Sequence, residues 1–216
     1  MSTLRPSRTA IALFALFGLV ATLMATGVTA TLDDTALRII GSWRTPERTN
    51  WMLAFTLAGD GSFEVPMALG IALLLWRLGA RTQAMRYVQS GVVGELLYLA
   101  LKWAFHRPRP SVIPRLGEAG WYSFPSGHTM MAPILWTTGF LLLARLATNR
   151  VTAGALAVIG LAAPLLIGGS RLYLGVHYPS DVLGALLVGS AWVCWWWPSA
   201  GSDASSVSTS AAPAIR

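Results

Sequence analysis

Long apolar runs, each ended by a short polar cluster, recur along the 216 residues of this chain. An α-helix needs about 20 mostly apolar residues to cross a bilayer. Read at that length, the pattern predicts six spans, at about 10–31, 52–76, 85–105, 127–146, 151–170 and 180–197. The predicted fold class is therefore all-α: a six-transmembrane-helix bundle filling one domain over residues 1–198. The Ser/Ala-rich stretch 199–216 reads as a disordered tail. No internal repeat is evident.

Composition agrees with the pattern. Residues of the apolar class make up 54% of the chain and charged residues 12%, which excludes an ordinary soluble domain. A net charge of +7 raises nucleic acid as a partner, but the basic residues are scattered over span ends instead of striped along one face, so no nucleic-acid partner is expected. Membrane lipids are the expected partners instead. The lone Cys194 allows no disulfide within the chain and no Cys-based metal site. Arg5 and Arg8, the apolar run from Ala10 to Leu32 and the Val28-Thr29-Ala30 end loosely resemble a cleaved signal. The run is long enough to span, and a retained first helix is expected. With the N-terminus inside, raw loop charges balance at eight inside and eight outside. Setting aside Lys102, Arg109 and Arg171, which the chemistry below requires, leaves eight against five. Both termini are then cytoplasmic and the polar clusters that follow face outward.

Between the first two spans, Asp33 to Asn50 reads as a polar loop with Trp43 and Trp51 at the interface. Asp60 and Glu64 fall in the outer half of the second span, where acids are either functional or paired with a cation of a neighbouring helix. Glu95 lies two turns before Lys102 on the same helical face, as a helix-positioning group or a protonated acid. The loop from about His106 to Phe124 is the longest. Pro108, Pro110 and Pro114 end the third helix and stiffen it, and Gly117, Gly120, Trp121 and Tyr122 suit a lid or rim. His106 reads as a loop histidine, and Arg107 and Arg115 as headgroup anchors.

Three clusters carry chemistry: Lys102-x6-Arg109-Pro110, Pro125-Ser126-Gly127-His128, and Ser170-Arg171-x5-His177-x3-Asp181. Lys102, Arg109 and Arg171 suit a phosphate, guanidinium as a fork and ammonium as a point charge. Ser126 reads as a helix cap whose following amides face an anion. Gly127 permits close backbone approach, and Ser126 and Ser170 offer hydroxyls. His177, four residues before Asp181, has the spacing of a nucleophile oriented by a carboxylate. His128 at the opposing helix start is placed to protonate a leaving oxygen and later to activate water. Two histidines and an aspartate make a partial metal site at most, and three nearby cations oppose a divalent ion, so no metal is expected.

In order and spacing these clusters resemble the signature of the type 2 phosphatidic acid phosphatase superfamily, the lipid phosphate phosphatases, over Lys102 to Asp181. The resemblance implies a phosphohistidine on His177, orientation by Asp181 and acid catalysis by His128. It implies phosphate binding by Lys102, Arg109, Ser126, Gly127 and Arg171, and no cofactor. It further implies a lipid phosphate substrate: polyprenyl diphosphate, phosphatidic acid or phosphatidylglycerol phosphate. Compact loops suggest a bacterial plasma-membrane enzyme with its site on the outer, periplasmic side. The family's pocket is also similar to that of soluble vanadate-using haloperoxidases, which six spans disfavour. The rivals are a phosphotransferase using the same intermediate and a non-hydrolytic lipid-phosphate transporter or binding protein. Oligomeric state has no signal in the sequence.

Overall fold

The computed structural model describes residues 7–197, so Arg5, Arg216 and the tail at 199–216 lie outside the described residues. Every element within them is a helix: α1 Arg8–Ala25, α2 Ala30–Ser42, α3 Pro46–Leu57, α4 Gly61–Arg77, α5 Arg81–Phe105, α6 Gly127–Ala132, α7 Thr138–Leu146, α8 Arg150–Tyr173 and α9 Pro179–Trp196. A π-helical turn at Pro133–Thr137 joins α6 to α7. Pro133 brings no amide to the ladder, which favours such a local change of winding.

The starts of these helices are written locally. Ser7 accepts from the Ala10 amide at 3.1 Å, Thr45 from Arg48 at 3.2 Å, and Asn149 from Thr152 at 2.8 Å. Each satisfies a donor that the helix cannot. Pro46 and Pro179 occupy the first helical turn, where the missing amide costs nothing.

The stretch expected as one span over 52–76 is two helices. Ala58, Gly59 and Asp60 separate α3 from α4, and the two axes bend by 50°. The physical cause is Asp60, whose carboxylate accepts from the Ser62 amide at 2.8 Å and so starts a new helix. The loop expected over Asp33 to Asn50 is also largely helical, as α2 and the first turn of α3. Arg8–Ala25, Gly127–Leu146 and Arg150–Tyr173 are each long and apolar enough to cross a membrane, and the bent α3–α4 pair would add a fourth crossing. At 25 and 18 residues, α5 and α9 have the length of a span but carry polar side chains along it.

Packing brings distant helix ends together. The first helix runs along α9, with Phe14 edge-on to Trp195 and Phe17 stacked on the buried Phe124. At the crossing of α6 and α9, Gly189 lies so close to the Met130 carbonyl that a Cβ would stand 2.5 Å from its oxygen. Only glycine fits there, and at the starts of the same two helices the Ser126 amide donates to the Asp181 carbonyl at 3.3 Å.

Candidate active site

Helix ends from distant parts of the chain meet around a cavity of about 440 Å³. Its walls include Lys102 from the end of α5, Arg109 and Gly120 from the following loop, Gly127 and His128 from the start of α6, Arg171 from the end of α8, and His177. Of the nine residues expected in the site, six line the cavity: all of these except Gly120. Asp181, Ser126 and Ser170 stand behind the wall.

The His177 imidazole is only 2% exposed. Its Nδ1 lies 3.4 Å from Asp181 Oδ2, and its Nε2 faces Arg109 Nη1 at 3.1 Å. A carboxylate at Nδ1 holds the proton on that nitrogen and leaves the Nε2 lone pair toward the cavity. Burial pushes the imidazole down to about 3, against the opposite pull of Asp181, with Arg109 and Arg171 adding to the fall. At neutral pH it is therefore uncharged.

Asp181 is fully buried and fully used. Its Oδ2 accepts from the Tyr178 amide at 2.8 Å and from the Ser123 hydroxyl, and its Oδ1 from Arg107 Nη1 at 2.5 Å. The hydrogen bond from the Tyr178 N–H fixes the carboxylate at the first turn of α9, the favourable end of the helix for negative charge.

The three expected cations are held in different ways. Lys102 is 2% exposed and donates from Nζ to the carbonyls of Tyr122 at 2.5 Å and Pro125 at 3.2 Å, close to the Tyr98 ring. Arg109 is tied to the Gly120, Trp121 and Val176 carbonyls. Arg171, 4% exposed, donates to Thr56 Oγ1 at 2.5 Å and leaves its buried Nε with no partner. A buried unpaired guanidinium donor is costly unless an acceptor arrives. An anion in the cavity would supply one.

His128 projects from the first turn of α6, with Nε2 3.9 Å from Asp60 Oδ2. Asp60, expected to be functional or paired with a cation of a neighbouring helix, caps α4 and turns its other carboxylate oxygen toward the His128 imidazole. Ser126 shares a hydrogen bond of 2.8 Å with Thr129, and Ser170 returns its hydroxyl to the Ile167 carbonyl at 2.7 Å. Both hydroxyls are thus engaged within their own helices. At Gly127 a Cβ would meet the Tyr98 ring at 2.7 Å. The glycine therefore makes room for a side chain as well as leaving backbone at the cavity wall.

Arg107 corrects the reading of it as a headgroup anchor. It is partly buried and makes a double ion pair, to Asp181 Oδ1 at 2.5 Å and to Asp33 Oδ2 at 2.8 Å, and lies over the Tyr178 ring. Asp33, from α2, also accepts from the Ser180 amide at 2.9 Å and from its hydroxyl at 2.5 Å. Three residues thus escaped sequence reasoning: Arg107, Asp33 and Ser123. The one available signal was the doubled Arg107-Pro108-Arg109-Pro110, in which either arginine suits a phosphate. Arg115 bonds the Pro110 carbonyl at 3.0 Å and braces the loop. Of the residues expected in a lid or rim, Gly120 and Trp121 border the cavity beside Glu118 and Ala119, Gly117 and Tyr122 do not line it, and His106 packs between Trp103 and Tyr122.

The PAP2 superfamily model matches residues 83–202. The chain belongs to the PAP2 superfamily. Phosphatidylglycerophosphatase B of Bacillus subtilis (strain 168) is 29% identical over 182 residues, which cover 83% of this chain and 88% of that protein. The undecaprenyl-diphosphatase BcrC of the same organism is 35% identical over 131 residues, 55% of this chain and 60% of that one. Among solved structures, the transmembrane PAP2-type phosphatidylglycerolphosphate phosphatase from Bacillus subtilis superposes with a TM-score of 0.81 at 26% identity, covering 86% of this chain and 92% of that chain. The protein is accordingly an integral membrane protein on an all-helical PAP2 frame. The family match begins within α5 and holds every expected site residue, but leaves α1 to α4 outside it, and with them Asp33, Asp60 and Glu64.

Proposed function

We propose that this PAP2 protein is a metal-independent, six-span membrane phosphatase that hydrolyses the terminal phosphate of a lipid phosphate or diphosphate through a phosphohistidine on His177. The observation that carries the reading is the convergence of His177, backed by the buried Asp181, with Lys102, Arg109, Arg171 and His128 around one cavity. The names of the relatives support lipid phosphate as the substrate class: one acts on phosphatidylglycerophosphate, another on undecaprenyl diphosphate. In the first step His177 Nε2 forms a bond to phosphorus while the bond to the leaving oxygen breaks, and His128 donates the proton which that oxygen takes. Asp181 stabilises the imidazolium so formed. In the second step His128 removes a proton from water, the oxygen of water bonds to phosphorus, and the P–N bond breaks to return neutral His177 and inorganic phosphate. Lys102, Arg109 and Arg171 hold the phosphoryl oxygens throughout, and Arg109 exchanges its contact with Nε2 for one with the substrate. The loop charges support an outward-facing site in a bacterial plasma membrane.

Purified protein in detergent, given a panel of lipid phosphates with excess chelator, is expected to release phosphate. His177→Ala should release none while eluting and melting as a folded protein. Sensitivity to chelator would contradict metal independence. Phosphate passed to an added alcohol and never to water would make the protein a phosphotransferase.

A further inference from the structure

A second, apolar groove of about 470 Å³ lies between α4 and α5. Val65, Leu69, Val92 and Leu96 stand exposed along it, as on a surface meant for hydrocarbon. Two acids interrupt it, Glu64 from the first turn of α4 and Glu95 from α5. Glu95 also lines the cavity that holds His177, so its side chain borders both groove and cavity. Glu64 is 4% exposed, and its Oε1 is buried in the groove wall with no hydrogen-bond partner. An acceptor left in this state is costly and calls for a donor.

Resting on the phosphatase reading, we propose that Glu64 and Glu95 form a specificity site for the segment joining the phosphate to the lipid chain, and that they select a linker carrying a hydroxyl. With the phosphoryl group among Lys102, Arg109 and Arg171, the chain runs out along the apolar groove that shares Glu95 with the cavity, and the linking carbons pass the two carboxyls. A carboxyl oxygen accepts from a hydroxyl whether or not the acid is ionised. A linker of bare methylenes leaves the Glu64 oxygen orphaned, and sites built to bond a hydroxyl reject the analogue without one far more strongly than apolar pockets reject a shape change. Neither residue belongs to the three motifs, and Glu64 lies outside the family match.

The test compares 1-acyl-glycerol 3-phosphate with its 2-deoxy analogue, which differs by that hydroxyl alone. Wild type is expected to favour the hydroxylated lipid at least about tenfold in kcat/KM. The Glu64→Met/Glu95→Met double variant, apolar and of similar volume, is expected to bring the ratio toward one, mainly through KM for the hydroxylated lipid. A ratio near one in the wild type, with both lipids hydrolysed, overturns the linker site and leaves the phosphatase intact. Hydrolysis of no lipid phosphate at all overturns both. An unchanged ratio in the double variant, or equal loss of both activities, assigns the carboxyls to the fold and overturns the proposal. Thermal unfolding of the variant tells a folded protein from a collapsed one.

Discussion

At the scale of single residues, the distinction that matters is between groups facing the cavity and groups holding them. Arg107 is of the second kind. It satisfies one oxygen of Asp181 and ties it to Asp33 across the chain. Arg107→Met leaves two buried carboxylates uncompensated and is expected to destabilise the protein by about 3–5 kcal/mol, read from thermal unfolding in detergent. Asp33→Asn alone should cost less, since Arg107 keeps Asp181. The double variant should show a coupling of about 0.5–3 kcal/mol, and strict additivity would contradict a shared network. The motif residues stand out in sequence as cations and histidines at span ends, and Lys102, Arg109, Gly127, His128, Arg171 and His177 share one cavity. Arg107 and Asp33 were not, because a buried ion pair between residues 74 positions apart leaves no local pattern. Ser126 and Ser170 show the converse: their types suit a phosphate, but their hydroxyls are spent within their own helices.

Among elements, close approach decides the geometry. The contact of Gly189 with the Met130 carbonyl sets α6 against α9, and so His128 against His177. Gly189→Ala is expected to destabilise by about 1–3 kcal/mol through overpacking, and to lower kcat more than it raises KM, because it moves the acid relative to the nucleophile. Unchanged kinetics and melting would contradict this account of the crossing. Hydropathy located α1, α5 and α9 and the stretches around α6–α7 and α8, since long apolar helices announce themselves. It missed the break at Asp60 because the apolar average continues across it, although an acid between two apolar runs is what a helix cap looks like. The helix α2 was hidden for the opposite reason. Its polar residues read as loop, while its inward side buries Asp33 and Leu37.

For the molecule as a whole, burial of the neutral His177 links folding to pH. Its imidazole is depressed to about 3 from the ordinary value of 6.5, chiefly by burial. Between those values the unfolded chain holds a proton that the folded chain excludes. The contribution of this residue is therefore fully present above pH 6.5 and is lost as pH falls toward 3, by about 1.4 kcal/mol per pH unit. Melting of wild type and His177→Asn across that window should converge as the pH drops, and parallel curves would contradict the burial argument. The same buried histidine carries the central chemical claim. A lipid substrate labelled with ³²P in its terminal phosphate, mixed with enzyme and quenched in alkali within milliseconds, should leave label on the protein in a bond stable to base and labile to acid. Peptide mapping should place it on the segment containing His177, and His177→Ala should carry none. Label on another residue, or turnover with no labelled protein at any time, would contradict a phosphohistidine mechanism.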